Sequence, residues 1–180
     1  MLPIARCGHS SPPDLHISVE SIAAWTSLRH KAMGLSGALL WLNRIQEVLS
    51  AVDKALSLDP NNAIAWNTRA SALLRLQQNN EALAAADRAL QLDPNLYSAW
   101  VNRSAVLVRT NRNDEALAAA DQAIALNPNS SVAWANRSGA LINLRRYAEA
   151  AGAADRALQL DPNNTVAQSN RVKAYHHLQR

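Results

Sequence analysis

The sequence predicts an all-α fold of stacked helical hairpins, a solenoid, and three observations support that prediction. Alanine and leucine dominate a composition that is 48% hydrophobic, with no phenylalanine and five glycines among 180 residues. Short strings recur at offsets of 34 or 68 residues, such as EALAAAD from Glu81 and again from Glu115. A proline recurs at the same 34-residue interval, at Pro60, Pro94, Pro128 and Pro162. A fixed period of this length indicates a tandem repeat array.

Each repeat is predicted to hold two helices. Alignment on the prolines gives four units and a final helix, at 29–62, 63–96, 97–130, 131–164 and 165–180. In the unit 63–96, the pattern predicts a first helix over about 64–77 and a second over about 80–92. The string DPN ends the second helix, because proline lacks the amide hydrogen and disfavours a helical residue before it. Neither helix can bury its apolar face alone, so neighbouring units must stack.

Residues 1–28 precede the repeats, and we predict that they are loose to about residue 17 and helical from there on. Pro12 and Pro13 mark a linker. Ser18 can cap a helix by accepting a free amide hydrogen of the first turn. The segment has no uninterrupted apolar core of the signal-peptide type.

Charge and cysteine content restrict the classes of function. The formal net charge is +4, and 15 of the 18 cationic residues are arginines interleaved with acids. This pattern favours a salt-bridged helical surface over a nucleic-acid-binding tract. No apolar run reaches the roughly 18 residues that cross a membrane, and the single cysteine, Cys7, cannot form an internal disulfide. We therefore expect a soluble protein in a reducing, cytoplasmic compartment.

The repeats resemble the tetratricopeptide repeat family, whose pattern is W-x2-L-G-x2-Y, then A-x3-F, then A-x4-P. Counted from the start of a unit, position 4 is tryptophan and positions 20 and 27 are alanine in the three units after the first, and position 32 is the proline. The resemblance covers about residues 29–180 and implies a right-handed superhelical array. Ala32 replaces the tryptophan in the first unit, which makes that unit degenerate. Gln168 replaces it in the final helix, as suits a polar capping end.

An asparagine recurs at position 6 of the first helix, on the side opposite the stripe formed by positions 4, 8 and 11. We predict that this stripe places three tryptophans in the core, namely Trp66, Trp100 and Trp134. We predict that the asparagines form a row along the concave face, at Asn102, Asn136 and Asn170. Asn67 stands at position 5 and is expected to interrupt the row.

The row resembles the asparagine ladder in the repeat domain of the O-linked N-acetylglucosamine transferase, which holds extended peptides by their backbone. An asparagine amide offers one peptide unit both a donor and an acceptor. We hypothesise a peptide-binding concave face that also includes Asn67, Arg75, Arg109 and Asn143. Replacing the three row asparagines with alanine is then expected to weaken peptide binding and leave the fold intact. In the alternative interpretation, a solvated helix face tolerates asparagine and repeat duplication copied it.

The arginine at position 7 of each unit has a candidate carboxylate at position 25 of the second helix. These residues predict structural ion pairs, and within one unit Arg103 would pair with Asp121.

No phosphate-binding loop, metal-spaced Cys/His set or nucleophile motif occurs in the sequence, so we expect no catalytic residue, no metal and no cofactor. His176 and His177 are adjacent and cannot share a metal as an i, i+4 pair can. Position 5 lacks the lysines that bind acidic chaperone tails in some family members, which disfavours that ligand. We expect a protein or peptide partner, and neither a small-molecule substrate nor a membrane. Single-stranded RNA binding and self-association through the array ends are the alternatives.

Overall fold

The computed structural model describes residues 44–180, and the predictions for 1–28 and for the first helix of the unit 29–62 lie outside them. The described residues contain eight α-helices and no strand. Helix α1 covers 44–58, and the others are α2 Ala63–Arg75, α3 Asn79–Leu92, α4 Tyr97–Arg109, α5 Asn113–Leu126, α6 Ser131–Asn143, α7 Tyr147–Leu160 and α8 Thr165–Leu178. Every helix in this part of the chain is too short or too polar to span a lipid bilayer.

The helices alternate between two layers. We call α2, α4, α6 and α8 the first helices, and α3, α5 and α7 the second helices. Each first helix packs against the next first helix, whereas the second helices from α3 to α7 contact only first helices. The array therefore curves with the first helices on its inner side. This arrangement confirms the predicted all-α repeat solenoid.

The DPN string has two roles in the connection between units. Proline ends the second helix, and the preceding Asp or Asn accepts the backbone amide hydrogen two residues on, as Asp93 Oδ1 does from Asn95 N at 2.9 Å. The next helix then starts at a capping side chain, except for α4, whose N-cap residue Leu96 makes no such bond. Asn62 accepts from Ala65 N, and Ser130 accepts from Ala133 N, at 2.9 and 3.1 Å. The caps satisfy amides that lack a partner in the first turn.

The turn inside each unit requires a left-handed residue, and glycine occupies none of the three positions. Gln77, Asn111 and Arg145 have φ values of 60°, 60° and 59°. A Cβ atom in this region lies too close to a carbonyl oxygen, at a cost of about 1 kcal/mol, and asparagine tolerates it better than other non-glycine residues. The turn is thus locally strained at Gln77 and Arg145.

We expect Arg145→Gly to raise the free energy of unfolding by about 0.5 to 1 kcal/mol. The strain energy that glycine removes from the folded state is larger than the free energy lost because glycine makes the unfolded chain more flexible. Urea denaturation measures the change. Asn111→Gly is the matched control and should gain less. If the Arg145→Gly variant is less stable than wild type, the arginine side chain stabilises the fold by more than its left-handed backbone conformation destabilises it.

The core lies between the two layers and is made mainly of small residues. The second helices bury alanines at positions 20, 23, 24 and 27, such as Ala116, Ala119, Ala120 and Ala123. The first helices bury larger side chains against them, and the largest fully buried ones are Leu107, Leu141 and Val106. Small residues on one side let the helices approach closely, as the dense packing of protein interiors requires.

The three tryptophans, which the sequence predicts as core residues, lie at the margin of this core. Trp66, Trp100 and Trp134 pack against buried clusters but remain partly exposed. Each indole Nε1–H donates to the carbonyl of the proline six residues earlier, at 2.8 to 2.9 Å. This bond holds the ring at the edge of the helix pair. Gln168 makes the same bond to Pro162 O at 2.8 Å without the ring.

Candidate functional site

The inner face consists of positions 2, 5, 6, 9 and 13 of the first helices. At position 2 it has exposed apolar side chains in three units, Ile64, Val132 and Val166. Position 6 lies one helical turn further on the same face. An exposed valine therefore precedes Asn136 and Asn170 by one turn. The position 2 residues were not among the predicted binding residues, although their recurrence was visible in the sequence.

The asparagine row bonds the first helices to each other. Asn136 Nδ2 donates to Val101 O at 3.1 Å and to Ser104 Oγ at 2.8 Å. Asn170 Nδ2 donates to Ala135 O at 3.0 Å. In each case the acceptor carbonyl is 35 residues earlier, at position 5 of the preceding unit. A helix carbonyl has a second lone pair, so it can accept this bond in addition to its own helical bond.

Asn67 extends the row, which is a correction because we expected it to interrupt the row. Asn102 Nδ2 donates to Asn67 Oδ1 at 2.8 Å and approaches Asn67 O at 3.4 Å. Asn67 Nδ2 in turn donates to Ser98 Oγ at 2.9 Å. Asn67 therefore bonds α2 to the following first helix, α4, whereas Asn136 and Asn170 donate to the preceding one.

These bonds revise the prediction that the asparagine amides are free. Asn170 is only 8% exposed, and Asn102 and Asn136 are half-buried. The Nδ2 groups of the row donate within the array. The Oδ1 atoms of Asn102, Asn136 and Asn170 accept no hydrogen bond within residues 44–180, and none of them is a buried oxygen without a partner. The inner face thus offers one acceptor on each of α4, α6 and α8, whereas Asn67 Oδ1 on α2 accepts from Asn102.

At position 9, Gly139 lies close to the asparagine of the next first helix, Asn170. A Cβ added to Gly139 would lie 3.4 Å from Val108 Cγ1 and 3.6 Å from Asn170 Nδ2, ordinary contact distances. The sequence suggested that Ser71, Ala105 and Gly139 leave space for a ligand. At Gly139 the structure uses that space for packing between units.

The other predicted binding residues differ in whether their side chains already make hydrogen bonds within the array. Arg109 Nη1 donates to Leu74 O at 2.8 Å, so this arginine bonds the carbonyl end of α2. Asn143 Nδ2 donates to Asn113 Oδ1 at 2.9 Å. Arg75 is exposed and lines a shallow depression with Ile45, Val48, Thr68, Ser71 and Ala72. Of the predicted cations, Arg75 is the one best placed to meet a ligand.

The position 7 arginines form the predicted ion pairs, but with the preceding unit and not with their own. Arg103 Nε lies 2.7 Å from Asp87 Oδ1, and Arg137 Nε lies 2.7 Å from Asp121 Oδ1. The predicted pairing of Arg103 with Asp121 is therefore wrong. Each arginine also lies over an aromatic ring of its own helix, as Arg103 does over Trp100 with 5.8 Å to the ring centroid. The pairs connect successive units on the side away from the asparagine row.

We expect Arg103→Ala and Asp87→Ala each to lower the free energy of unfolding by up to about 1 kcal/mol, because the pair is only partly buried. The double variant should lose less than the combined single losses, by roughly 0.5 kcal/mol. Chemical denaturation of the four proteins measures this coupling. Arg103 with Asp121 is the control pair and should be additive. Additive losses for Arg103 with Asp87 would contradict the observed pairing.

Two further ion pairs lie at the starts of the second helices. The hydrogen bond from Arg112 holds the pKa of Glu115 below its ordinary value of 4.5, and the bond from Arg146 does the same to the pKa of Glu149. Both pairs are exposed. A hydrogen bond to Asp155 raises the pKa of Tyr175 above 10.0. None of these groups lies at position 2, 5, 6, 9 or 13 of a first helix.

The metal-ligating side chains of the described residues are dispersed. No group of three or more His, Cys, Asp or Glu side chains within 44–180 is placed to share a metal ion. The His177 ring stacks on Tyr147 with 4.4 Å between centroids, and His176 meets the His177 ring edge-on.

Known families and structures agree with this architecture. Residues 63–96 and 103–165 match the tetratricopeptide repeat family, and the two matches together cover more than half of the chain. The match over 63–96 has the same bounds as one predicted unit. No curated protein matches the sequence significantly.

Three solved structures show the same fold. The second TPR domain of human RPAP3, in complex with an HSP70 peptide, is 25% identical with a TM-score of 0.58 and covers 63% of this chain and 94% of its own. YrrB, described as a TPR protein with an unusual peptide-binding site, is 23% identical with a TM-score of 0.62 and covers 81% and 75%. MamA from Desulfovibrio magneticus RS-1 is 20% identical with a TM-score of 0.62 and covers 82% and 89%.

Proposed function

This chain belongs to the tetratricopeptide repeat family, and we propose that it is a protein-interaction module that binds an extended peptide along its inner face. The observation that carries the proposal is the row of Oδ1 acceptors, one on each of α4, α6 and α8, at Asn102, Asn136 and Asn170. A peptide backbone supplies N–H donors whatever its side chains are. The row therefore selects main chain and not a particular sequence.

The spacing of the row favours a ligand with a three-residue repeat. Packed helices lie about 8 to 10 Å apart, so successive acceptors are separated by about that distance. A polyproline II segment has three residues per turn and rises about 3.1 Å per residue, which returns an N–H to the same side every 9 Å or so. Its backbone makes no internal hydrogen bonds, so the N–H groups are free to donate.

The apolar side chains at position 2 favour a ligand with apolar residues. Ile64, Val132 and Val166 are exposed beside the row, and burying each of them on binding would gain roughly 1 to 2 kcal/mol. In α4, position 2 is Ser98, which adds no apolar surface to the inner face. Position 5 has no lysine, so the face is less suited to acidic tails, and Arg75 is the cation best placed to add a charged contact.

The relatives support a peptide ligand by analogy. The RPAP3 domain is in complex with a peptide and YrrB is described by its peptide-binding site, and both share the fold of this chain. Catalysis has no support from the described residues. RNA binding also lacks a specific observation, because the inner face of 44–180 has no Phe, Tyr or Trp on which bases could stack.

The test is to select ligands from a displayed library of random 12-residue peptides and to titrate the selected peptide by calorimetry. Val132→Asp should reduce its affinity at least 10-fold, because a carboxylate replaces apolar contact surface beside the row. Val172→Asp is the matched control, since Val172 is exposed on a different face of its helix. Failure to select any peptide, together with salt-dependent binding of a 12-nucleotide RNA, would overturn the proposal in favour of nucleic acid.

A further inference from the structure

Charge differs between the two ends of the first helices. Helices α2, α4, α6 and α8 contain no acidic residue. The turns before three of them each contain an aspartate, Asp59, Asp93 and Asp161. The last turns of α2 and α4 instead contain Arg75 and Arg109. A ligand that lies across these helices therefore meets negative charge near position 2 and positive charge near position 13.

Arg75 and Arg109 lie on the same side of their helices as the asparagine row. Both occupy position 13, seven residues after position 6, which is close to two helical turns and roughly 10 Å along the axis. Arg109 Nη1 donates to Leu74 O at 2.8 Å, so its guanidinium lies at the carboxyl end of α2, which also carries Arg75. We call Arg75 and Arg109 the cationic pair.

The cationic pair forms no ion pair within residues 44–180. The position 7 arginines lie 2.7 to 3.0 Å from aspartates, and Arg112 and Arg146 lie 2.7 Å from glutamates, whereas both members of the cationic pair are exposed to solvent. The sequence 21–46 contains no acidic residue that the preceding unit could offer to Arg75. The positive charge of the pair is therefore available to a ligand.

The helix dipole favours a cation in the last turn, but the array does not require one there. In α6, position 13 is Asn143, whose Nδ2 donates to Asn113 Oδ1 at 2.9 Å. The contact between α4 and α6 is therefore neutral at the place where the contact between α2 and α4 carries two guanidinium groups. This difference marks one part of the inner face.

We propose that the peptide bound on the inner face has acidic side chains where it crosses the cationic pair and apolar side chains toward position 2. This inference rests on the peptide-binding function proposed above and specifies the class of its ligand. A guanidinium donates two parallel hydrogen bonds to one carboxylate, so Asp and Glu side chains are the matching groups. Position 5 has no lysine to hold an acidic tail, whereas these carboxylates meet position 13 at the edge of the face.

The opposite edge completes the match. Exposed apolar side chains lie there, at Ile64, Val132 and Val166. The aspartates of the preceding turns repel carboxylates from this side. A peptide with acidic residues on one side and apolar residues on the other is thus oriented about its own axis.

A peptide matches this surface better than single-stranded RNA, whose phosphates would also be attracted to the cationic pair. RNA carries negative charge along its whole length, so it would also lie close to the turn aspartates. Its bases need aromatic side chains for stacking, and the inner positions of the described first helices contain no Phe, Tyr or Trp. A peptide can keep its carboxylates on one side only.

The test compares two fluorescent synthetic peptides on the whole chain, four repeats of Val-Pro-Glu and four repeats of Val-Pro-Gln. Proline favours the polyproline II form, in which such a peptide is about 37 Å long and can cross four first helices. A carboxylate in every third position places one at the cationic pair in any register. By fluorescence anisotropy we expect the Glu peptide to bind at least ~5-fold more tightly in ~50 mM salt, and most of this difference to disappear in ~500 mM salt.

Arg75→Ala combined with Arg109→Ala should lower the affinity for the Glu peptide to that for the Gln peptide. The matched control is Arg88→Ala combined with Arg156→Ala, which removes the same charge from the second helices α3 and α7. The control should leave the difference between the peptides unchanged. An equal loss in the control would mean that net charge alone attracts the peptide, and it would overturn the proposal.

Reversal of charge excludes a folding defect as the cause of the loss. Arg75→Glu combined with Arg109→Glu should bind four repeats of Val-Pro-Lys more tightly than the wild type does, which an unfolded protein cannot do. Circular dichroism confirms that the variant folds. Absence of the gain in a folded variant would contradict the contact between the cationic pair and the ligand.

The remaining outcomes separate this inference from the peptide-binding function. Equal affinity of the wild type for the Glu and Gln peptides would overturn the acidic preference and leave peptide binding in place. If neither peptide binds and the random library yields no ligand, both proposals fail. Displacement of the Glu peptide by a 12-nucleotide RNA that requires the same two arginines would assign the cationic pair to nucleic acid and overturn the inference.

Discussion

Replacement of Trp134 by alanine is expected to lower the free energy of unfolding by about 3 kcal/mol. The indole packs against the cluster that contains Leu141 and Ala150 and against the cluster of Ala135, Ala157 and Ala167. It also donates to Pro128 O at 2.9 Å. The expected loss is at the low end for a tryptophan, because the ring is partly exposed.

Denaturant unfolding followed by circular dichroism measures the effect. Trp134→Gln is the matched control, since Gln168 shows that glutamine keeps the bond to the proline carbonyl without the ring. The difference between the two variants then reports the packing of the indole. A Trp134→Ala protein as stable as wild type would mean that packing of the indole does not contribute to the free energy of unfolding.

The triple change of Asn102, Asn136 and Asn170 to alanine is expected to affect both stability and binding. It removes a hydrogen bond between each pair of neighbouring first helices, at roughly 0.5 to 1.5 kcal/mol for each. Alanine recovers part of this loss through its higher helix propensity. Peptide affinity should fall by about 10-fold to several hundred-fold, because three acceptors are lost. The sequence predicts that the triple variant still folds, and the hydrogen bonds between first helices add the expectation that it is less stable than wild type.

Calorimetric titration of the selected peptide, below the melting transition of the variant, separates the two effects. Arg137→Ala is the control, because it breaks the pair with Asp121 between units without touching the inner face. It should lower stability and leave peptide affinity unchanged. A folded triple variant that binds as tightly as wild type would reduce the asparagines to a purely structural role.

The repeat period and the helix bounds could be read from the sequence, because local chemistry sets them. Proline ends the second helices, and α2 and α3 begin and end within two residues of the predicted positions. Alanine at positions 20 and 27 likewise identified buried surface. These features depend on one helix or one turn, which a sequence pattern describes directly.

Features that depend on the distance between helices could not be read in this way. A helical wheel gives the direction of Asn136 from its own axis but not the distance to Val101 O on the next first helix. The same limit explains why Arg103 was paired with Asp121 and not with Asp87. The pattern also does not show how much of each indole stays exposed, because that depends on how much of the ring an alanine-rich neighbouring helix can cover.

An N-methyl scan of the selected peptide tests whether the Oδ1 row accepts hydrogen bonds from a peptide backbone. Each variant peptide loses one backbone N–H and keeps its side chains. If the row binds the backbone, N-methylation should lower the affinity at least 5-fold at positions three residues apart. The triple asparagine variant should then no longer discriminate between these peptides. Uniform affinity across the scan, or equal discrimination by wild type and triple variant, would contradict binding of the backbone by the row.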